Sequence, residues 1–138
     1  MKILYVEHYD SHVLPTSHSL ERRKHQVDIF LPQKSLYHNF NAAGLKTSNF
    51  DNPAALVDLV RKYDACILNR ETFSLNDAAD GKLFDSYLNA LLASDYRNRI
   101  VITTTLIQSN IDKMIPKDSR IRVYEKPFLF KTLEGALK

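Results

Sequence analysis

Ile100-Val101-Ile102-Thr103-Thr104-Thr105, then Asn110-Ile111-Asp112-Lys113-Met114-Ile115-Pro116, then Ile121-Arg122-Val123-Tyr124-Glu125-Lys126-Pro127 is the stretch that decides the architecture. It opens with a β-rich apolar run that ends in hydroxyls. A short helix over Asn110 to Ile115 follows and is stopped by Pro116. A second strand then closes at the Lys126-Pro127 turn, and Phe130 to Lys138 reads as a last helix. A strand, a helix and a strand in succession make parallel neighbours, because a parallel pair needs a crossover.

The same unit repeats toward the N-terminus. Ala65-Cys66-Ile67-Leu68 is a strand ending at Asn69-Arg70-Glu71; a polar loop from Thr72 to Asp80 leads into a helix with the apolar stripe Leu83, Phe84, Tyr87, Leu88, Leu91 and Leu92. Asn52-Pro53 is a helix start, a capping side chain followed by proline in the first turn, and Leu56, Leu59, Val60 and Tyr63 recur at helical spacing. Val27, Ile29 and Leu31 mark a strand closed by Pro32, and Ile3-Leu4-Tyr5-Val6 is the first strand, stopping at Glu7-His8. Between them a helix is predicted from Pro15 to Lys24, with Pro15 acceptable only in its first turn. Residues 33–51 read as a long irregular connection whose Tyr37, Phe40 and Phe50 either pack as a small core of their own or present a binding patch.

Strands and helices in this alternation imply one α/β domain over residues 1–138, with a parallel sheet covered on both faces and residues 33–51 inserted in it. In such sheets the site lies beyond the carboxyl ends of the strands. The residues there are Glu7-His8, Asn69, Thr104 and Lys126.

Composition narrows the function. With 138 residues, 44% hydrophobic and 25% charged, the chain is long enough to bury a core. It has no apolar run that would cross a bilayer and no signal-peptide pattern, so a cytoplasmic domain is expected. The formal charge of +3 is small, and its tightest basic cluster, Arg22-Arg23-Lys24, reads as a solvated helix end rather than a nucleic-acid stripe. The single cysteine, Cys66, sits inside a strand and reads as a buried, inert thiol. All five histidines lie in the first 38 residues; His8 and His12 are four apart, but no third ligand stands at a metal-site spacing, so exposed polar residues are expected.

The four strand ends resemble those of the receiver domains of bacterial response regulators, the chemotaxis-regulator type of flavodoxin-like fold. That family carries an acidic pair after strand one, a phosphoacceptor Asp after strand three, a Thr or Ser after strand four and Lys-Pro after strand five. Here Glu7-His8 stands at the acidic pair, Asn69 at the phosphoacceptor, Thr104 at the hydroxyl and Lys126-Pro127-Phe128 at the strand-five signature. The resemblance covers the whole chain and implies a (βα)5 sandwich with sheet order 2-1-3-4-5.

The departures are chemical. A receiver needs a carboxylate nucleophile and a divalent cation. Asn69 offers a neutral amide, and Glu7-His8 retains one carboxylate of the pair, which weakens a Mg²⁺ site. The reading is therefore a pseudo-receiver, not an enzyme, with no cofactor, and with Glu7, His8, Asn69, Thr104 and Lys126 as a degenerate phosphorylation pocket. Lys126 is free to pair with Glu7, and Glu71 is the residue nearest to a substitute carboxylate. Implied partners are proteins or a fused output domain. They would use the face of Asn110 to Ile115, Arg122, Tyr124, Phe128 and Phe130 to Lys138, where receivers dimerise; neither membrane nor nucleic acid is implied. Val123 stands where receivers usually place an aromatic, with Tyr124 adjacent. Two alternatives stay open: a receiver still phosphorylated through another carboxylate, and a flavin or nucleotide binder using the hydroxyls of Ser11 to Ser19 as a phosphate loop.

Overall fold

The protein's structure is a computed structural model that describes residues 1–7, 10–32, 47–50, 52–73, 81–126 and 130–137. Strands β1 (Lys2–Val6), β2 (Gln26–Leu31), β4 (Ala65–Asn69), β5 (Arg99–Thr104) and β6 (Ile121–Glu125) pair in parallel in the order β2-β1-β4-β5-β6. This is the predicted 2-1-3-4-5 sheet. A sixth strand, β3 (Thr47–Asn49), joins the outer side of β2, pairing Ile29 with Thr47 and Leu31 with Asn49. The connection read as irregular throughout residues 33–51 thus ends in an edge strand, which covers backbone groups that β2 would otherwise leave open.

Apolar runs buried on both faces explain the parallel sheet. Leu4, Val6, Cys66, Leu68, Ile100 and Ile102 pack on one side under helices α2 (Pro53–Val60), α4 (Lys82–Ala93) and α5 (Gln108–Met114). Ile3, Tyr5, Ala65, Ile67 and Val101 pack on the other, under α1 (Asp10–Arg22) and α6 (Phe130–Leu137). Cys66 is fully buried, and burial pushes its thiol up to about 12, as expected of an inert core residue.

The helix ends follow their caps. Asn52 caps α2 by accepting from the Ala55 N–H at 2.9 Å. Helix α1 starts at Asp10, earlier than predicted, so Pro15 lies inside it and forgoes one helical hydrogen bond. Its end is a Schellman turn: Lys24 takes φ 68°, its N–H reaches Glu21 O and the His25 N–H reaches Leu20 O. Arg22, Arg23 and Lys24 are exposed there, as a solvated helix end requires, and Arg23 pairs with Glu134 of α6 at 2.7 Å.

The segment predicted as a loop from Thr72 begins instead as a single helical turn, α3 (Arg70–Phe73), directly after β4. Phe73 anchors it, with its ring 5.8 Å from Phe50, 5.3 Å from Phe84 and 5.0 Å from Tyr87. Phe50 therefore belongs to the main core, while Tyr37 and Phe40 lie outside the described residues. At the start of α4, Gly81 holds φ +70°, and a Cβ there would stand 2.0 Å from the Arg70 guanidinium.

Candidate functional site

Strand register places the site. Val6 pairs with Leu68, Asn69 with Thr103, and Thr104 with Glu125, so Glu7, Asn69, Thr103, Thr104 and Lys126 form a row along the carboxyl edge of the sheet. The Lys126 N–H donates to Thr104 O at 2.8 Å, which fixes Lys126 beside the end of β5. His8 and Phe128 lie outside the described residues, as do the side chains of His12 and Phe130.

Glu7 is fully buried and meets polar groups on two sides. Lys126 Nζ donates to its Oε1 and forms an ion pair with it. The Thr72 hydroxyl lies 3.2 Å from Oε2. A buried carboxylate is tolerated only when paired and hydrogen-bonded in this way.

Asn69, also fully buried, is oriented by groups of opposite kind. Its Oδ1 accepts from the Thr72 N–H at 2.9 Å, as an N-cap of α3 does, and stands 2.6 Å from the Thr72 hydroxyl. Its Nδ2 donates to Thr103 O at 3.3 Å and to Thr103 Oγ1 at 3.2 Å. An N–H on one side and a carbonyl on the other fix which amide atom is oxygen. The Thr72 hydroxyl has one proton for two acceptors, and the shorter contact, to Asn69, takes it.

Thr104 does not face Asn69. Its hydroxyl donates to Glu71 Oε2 at 2.9 Å and accepts from the Leu106 N–H at 3.1 Å. Glu71 Oε1 accepts from the Thr105 N–H, and Arg70 Nη1 stands 3.7 Å from Oε2. Arg70 itself is 1% exposed, packed under Gly81.

Arg70, Thr72 and Thr103 were missed in sequence. For Thr72 the only signal is that Asn69 is a residue type that caps helices, and Thr72 does not supply the Glu or Gln that completes a capping box. For Arg70 there is none, since an arginine after a strand reads as solvated unless the approach of Gly81 is known.

These donor sets do not fit a divalent cation. Glu7 and Glu71 already face an ammonium, a hydroxyl and a backbone N–H, and among the described residues no group of three His, Cys, Asp or Glu could hold an ion. Nor does Asn69 present a nucleophile, since both amide atoms are engaged and a carboxamide oxygen is weak. The hydroxyl segment considered as a phosphate loop is helical: Thr16, Ser17 and Ser19 are buried in α1, and Ser17 donates back to Val13 O at 2.7 Å. Among the described residues no helix is long and apolar enough to cross a membrane.

On the predicted partner face, β6 is a sheet edge. Val123 leans into the core under α2, α4 and α5, and Tyr124 into the one under α1 and α6. Beside them α5 and β6 border a cavity of about 260 Å³ lined by Gln108, Ile111, Asp112, Ile115, Ile121 and Val123. Ile107, just before α5, is 57% exposed.

No protein-family model matches the chain, and no curated protein matches it in sequence. Solved structures match its fold. A two-component response regulator from Clostridium difficile superposes with a TM-score of 0.57 at 16% identity, over 98% of this chain and 90% of that one. A CheY-like receiver domain from Methylobacillus flagellatus gives 0.54 at 17% identity, over 98% and 93%. The Vibrio cholerae chemotaxis protein CheY4 gives 0.52 at 15% identity, over 99% and 98%. Over nearly its whole length, the chain is similar in fold to CheY-like receiver domains.

Proposed function

We propose that this chain is a pseudo-receiver, a signalling module that acts through protein contacts and without phosphorylation at Asn69. The observation that carries the reading is the state of Asn69 itself: buried, oriented by Thr72 and Thr103, and used as a helix cap at the position where the resemblance puts a nucleophilic carboxylate. The Glu7–Lys126 ion pair supports it, because the lysine is already neutralised by the chain's own carboxylate. Under this reading Glu7, His8, Asn69, Thr104 and Lys126 are the remains of a phosphorylation pocket. The module meets a protein partner, a fused output domain or a second copy in the cytoplasm through β6, α5 and α6, including Tyr124, Phe128 and Phe130.

Against the alternative of phosphorylation through Glu7, Asp10 or Glu71 stand the Glu7 ion pair with Lys126 and the Glu71 carboxylate, which accepts on both oxygens; the Asp10 side chain lies outside the described residues. Incubation with acetyl phosphate and Mg²⁺, followed by intact-mass measurement, tests the proposal. The unmodified mass is expected, and a phosphoryl adduct that is lost under conditions that hydrolyse acyl phosphates would overturn it.

A further inference from the structure

The least expected contact at the carboxyl edge is the one made by Glu71. It belongs to the single turn α3, yet its two oxygens are held by another element: the Thr104 hydroxyl at 2.9 Å and the Thr105 N–H, both at the end of β5. The Thr104 hydroxyl accepts from the Leu106 N–H, so its own proton is directed at Glu71. The Arg70 guanidinium, almost fully buried, adds positive charge 3.7 Å from the same carboxylate. A buried hydroxyl and a backbone N–H that donate to the two oxygens of one carboxylate, with a guanidinium charge beside it, are the groups that bind oxyanions.

Other residues could have closed the end of β5 without charge. A carboxylate only 16% exposed is costly unless its surroundings suit an anion. We propose that Thr104, the Thr105 N–H and Arg70 form an oxyanion site, and that Glu71 is its resident ligand, a carboxylate supplied by the chain where a free or transferred phosphate would otherwise bind. Being tethered, it competes at an effective concentration in the millimolar range or above, so dissolved phosphate displaces it only at correspondingly higher concentration. The site is thereby held in an anion-bound arrangement, with α3 latched to β5. This inference rests on the pseudo-receiver reading and adds what fills the pocket.

The test uses Glu71→Ala, which removes the ligand and leaves the donors. The ¹⁵N-labelled wild type and variant are titrated with inorganic phosphate at constant ionic strength, following the Thr105 and Leu106 amides. The variant is expected to shift saturably, with an apparent affinity at least about tenfold tighter than the wild type. Adding Thr104→Val should abolish the shift. Should Glu71→Ala not fold, Glu71→Ser keeps a polar group on α3 and carries the same expectation. A folded variant whose amides stay still, or a wild type that binds phosphate as tightly, overturns the inference. Acetyl phosphate treatment of the wild type is read separately. Covalent modification there overturns the pseudo-receiver reading, whereas a silent variant beside an unmodified wild type overturns only the role of Glu71.

Discussion

The amide of Asn69 meets a donor on one side and an acceptor on the other, which only a carboxamide can satisfy in both directions. Asn69→Asp would therefore not simply restore an acidic residue. It would lose both bonds from Nδ2 and set an anion 3.3 Å from the Thr103 carbonyl, with buried Glu7 one hydroxyl away. The expected cost is about 1–3 kcal/mol, read as a lower denaturation midpoint at unchanged slope. A variant as stable as the wild type would contradict the role of the Nδ2 bonds to Thr103, since an aspartate oxygen keeps the cap on the Thr72 N–H. At this scale the sequence shows the carboxamide at position 69 directly, because residue identity is enough to exclude a carboxylate nucleophile there. It does not show the cap, because a capping bond depends on the next turn being helical. Thr72 reads as the first residue of a polar loop until α3 is seen.

Helix α3 is held at three points: Asn69 at its start, Glu71 to β5, and Phe73 in the aromatic cluster. Gly81 closes the fourth side at φ +70° against Arg70. Gly81→Ala meets both a left-handed backbone and an occupied space, and a loss of about 2 kcal/mol or more is expected in equilibrium unfolding. A neutral effect would mean that Arg70 moves freely. At the opposite edge Arg120 joins the end of α4 to the approach of β6, donating to Leu92 O and Tyr96 O and gripping Asp118 at 2.8 Å. That guanidinium lowers the Asp118 carboxyl to about 2. Because the folded value lies below the ordinary aspartate value of about 3.9, the stabilisation is complete above that pH and is lost as the pH falls toward 2. Asp118→Asn should thus cost about 1 kcal/mol at neutral pH, with the difference from wild type vanishing near pH 2 in acid titrations. A constant difference across that range would contradict the pair's role. The strands and long helices were legible from apolar runs, Asn52-Pro53 and the Leu83 to Leu92 stripe. The start of α1 and the turn α3 were not, since each runs against a local signal, Pro15 in one case and a polar stretch in the other.

Across the molecule, the apolar runs that build both cores also fix the register, and the register alone brings Glu7, Asn69, Thr104 and Lys126 to one edge. That much follows from five strands in alternation with helices. What the edge contains besides, the Glu71 contacts and the buried Arg70, depends on side chains meeting across elements far apart in sequence, which no local pattern encodes. Strand β3 was hidden for a related reason, because a three-residue edge strand carries too little periodicity to be read. The central claim is that this edge is closed by the chain's own groups and does not take a phosphoryl group at Asn69. The most direct measurement is an amide NMR titration of the wild type with Mg²⁺ and beryllofluoride, a mimic of a phosphoryl group on a carboxylate. The account predicts that the resonances of Asn69, Thr104 and Lys126 stay where they are; saturable shifts at those residues would contradict it.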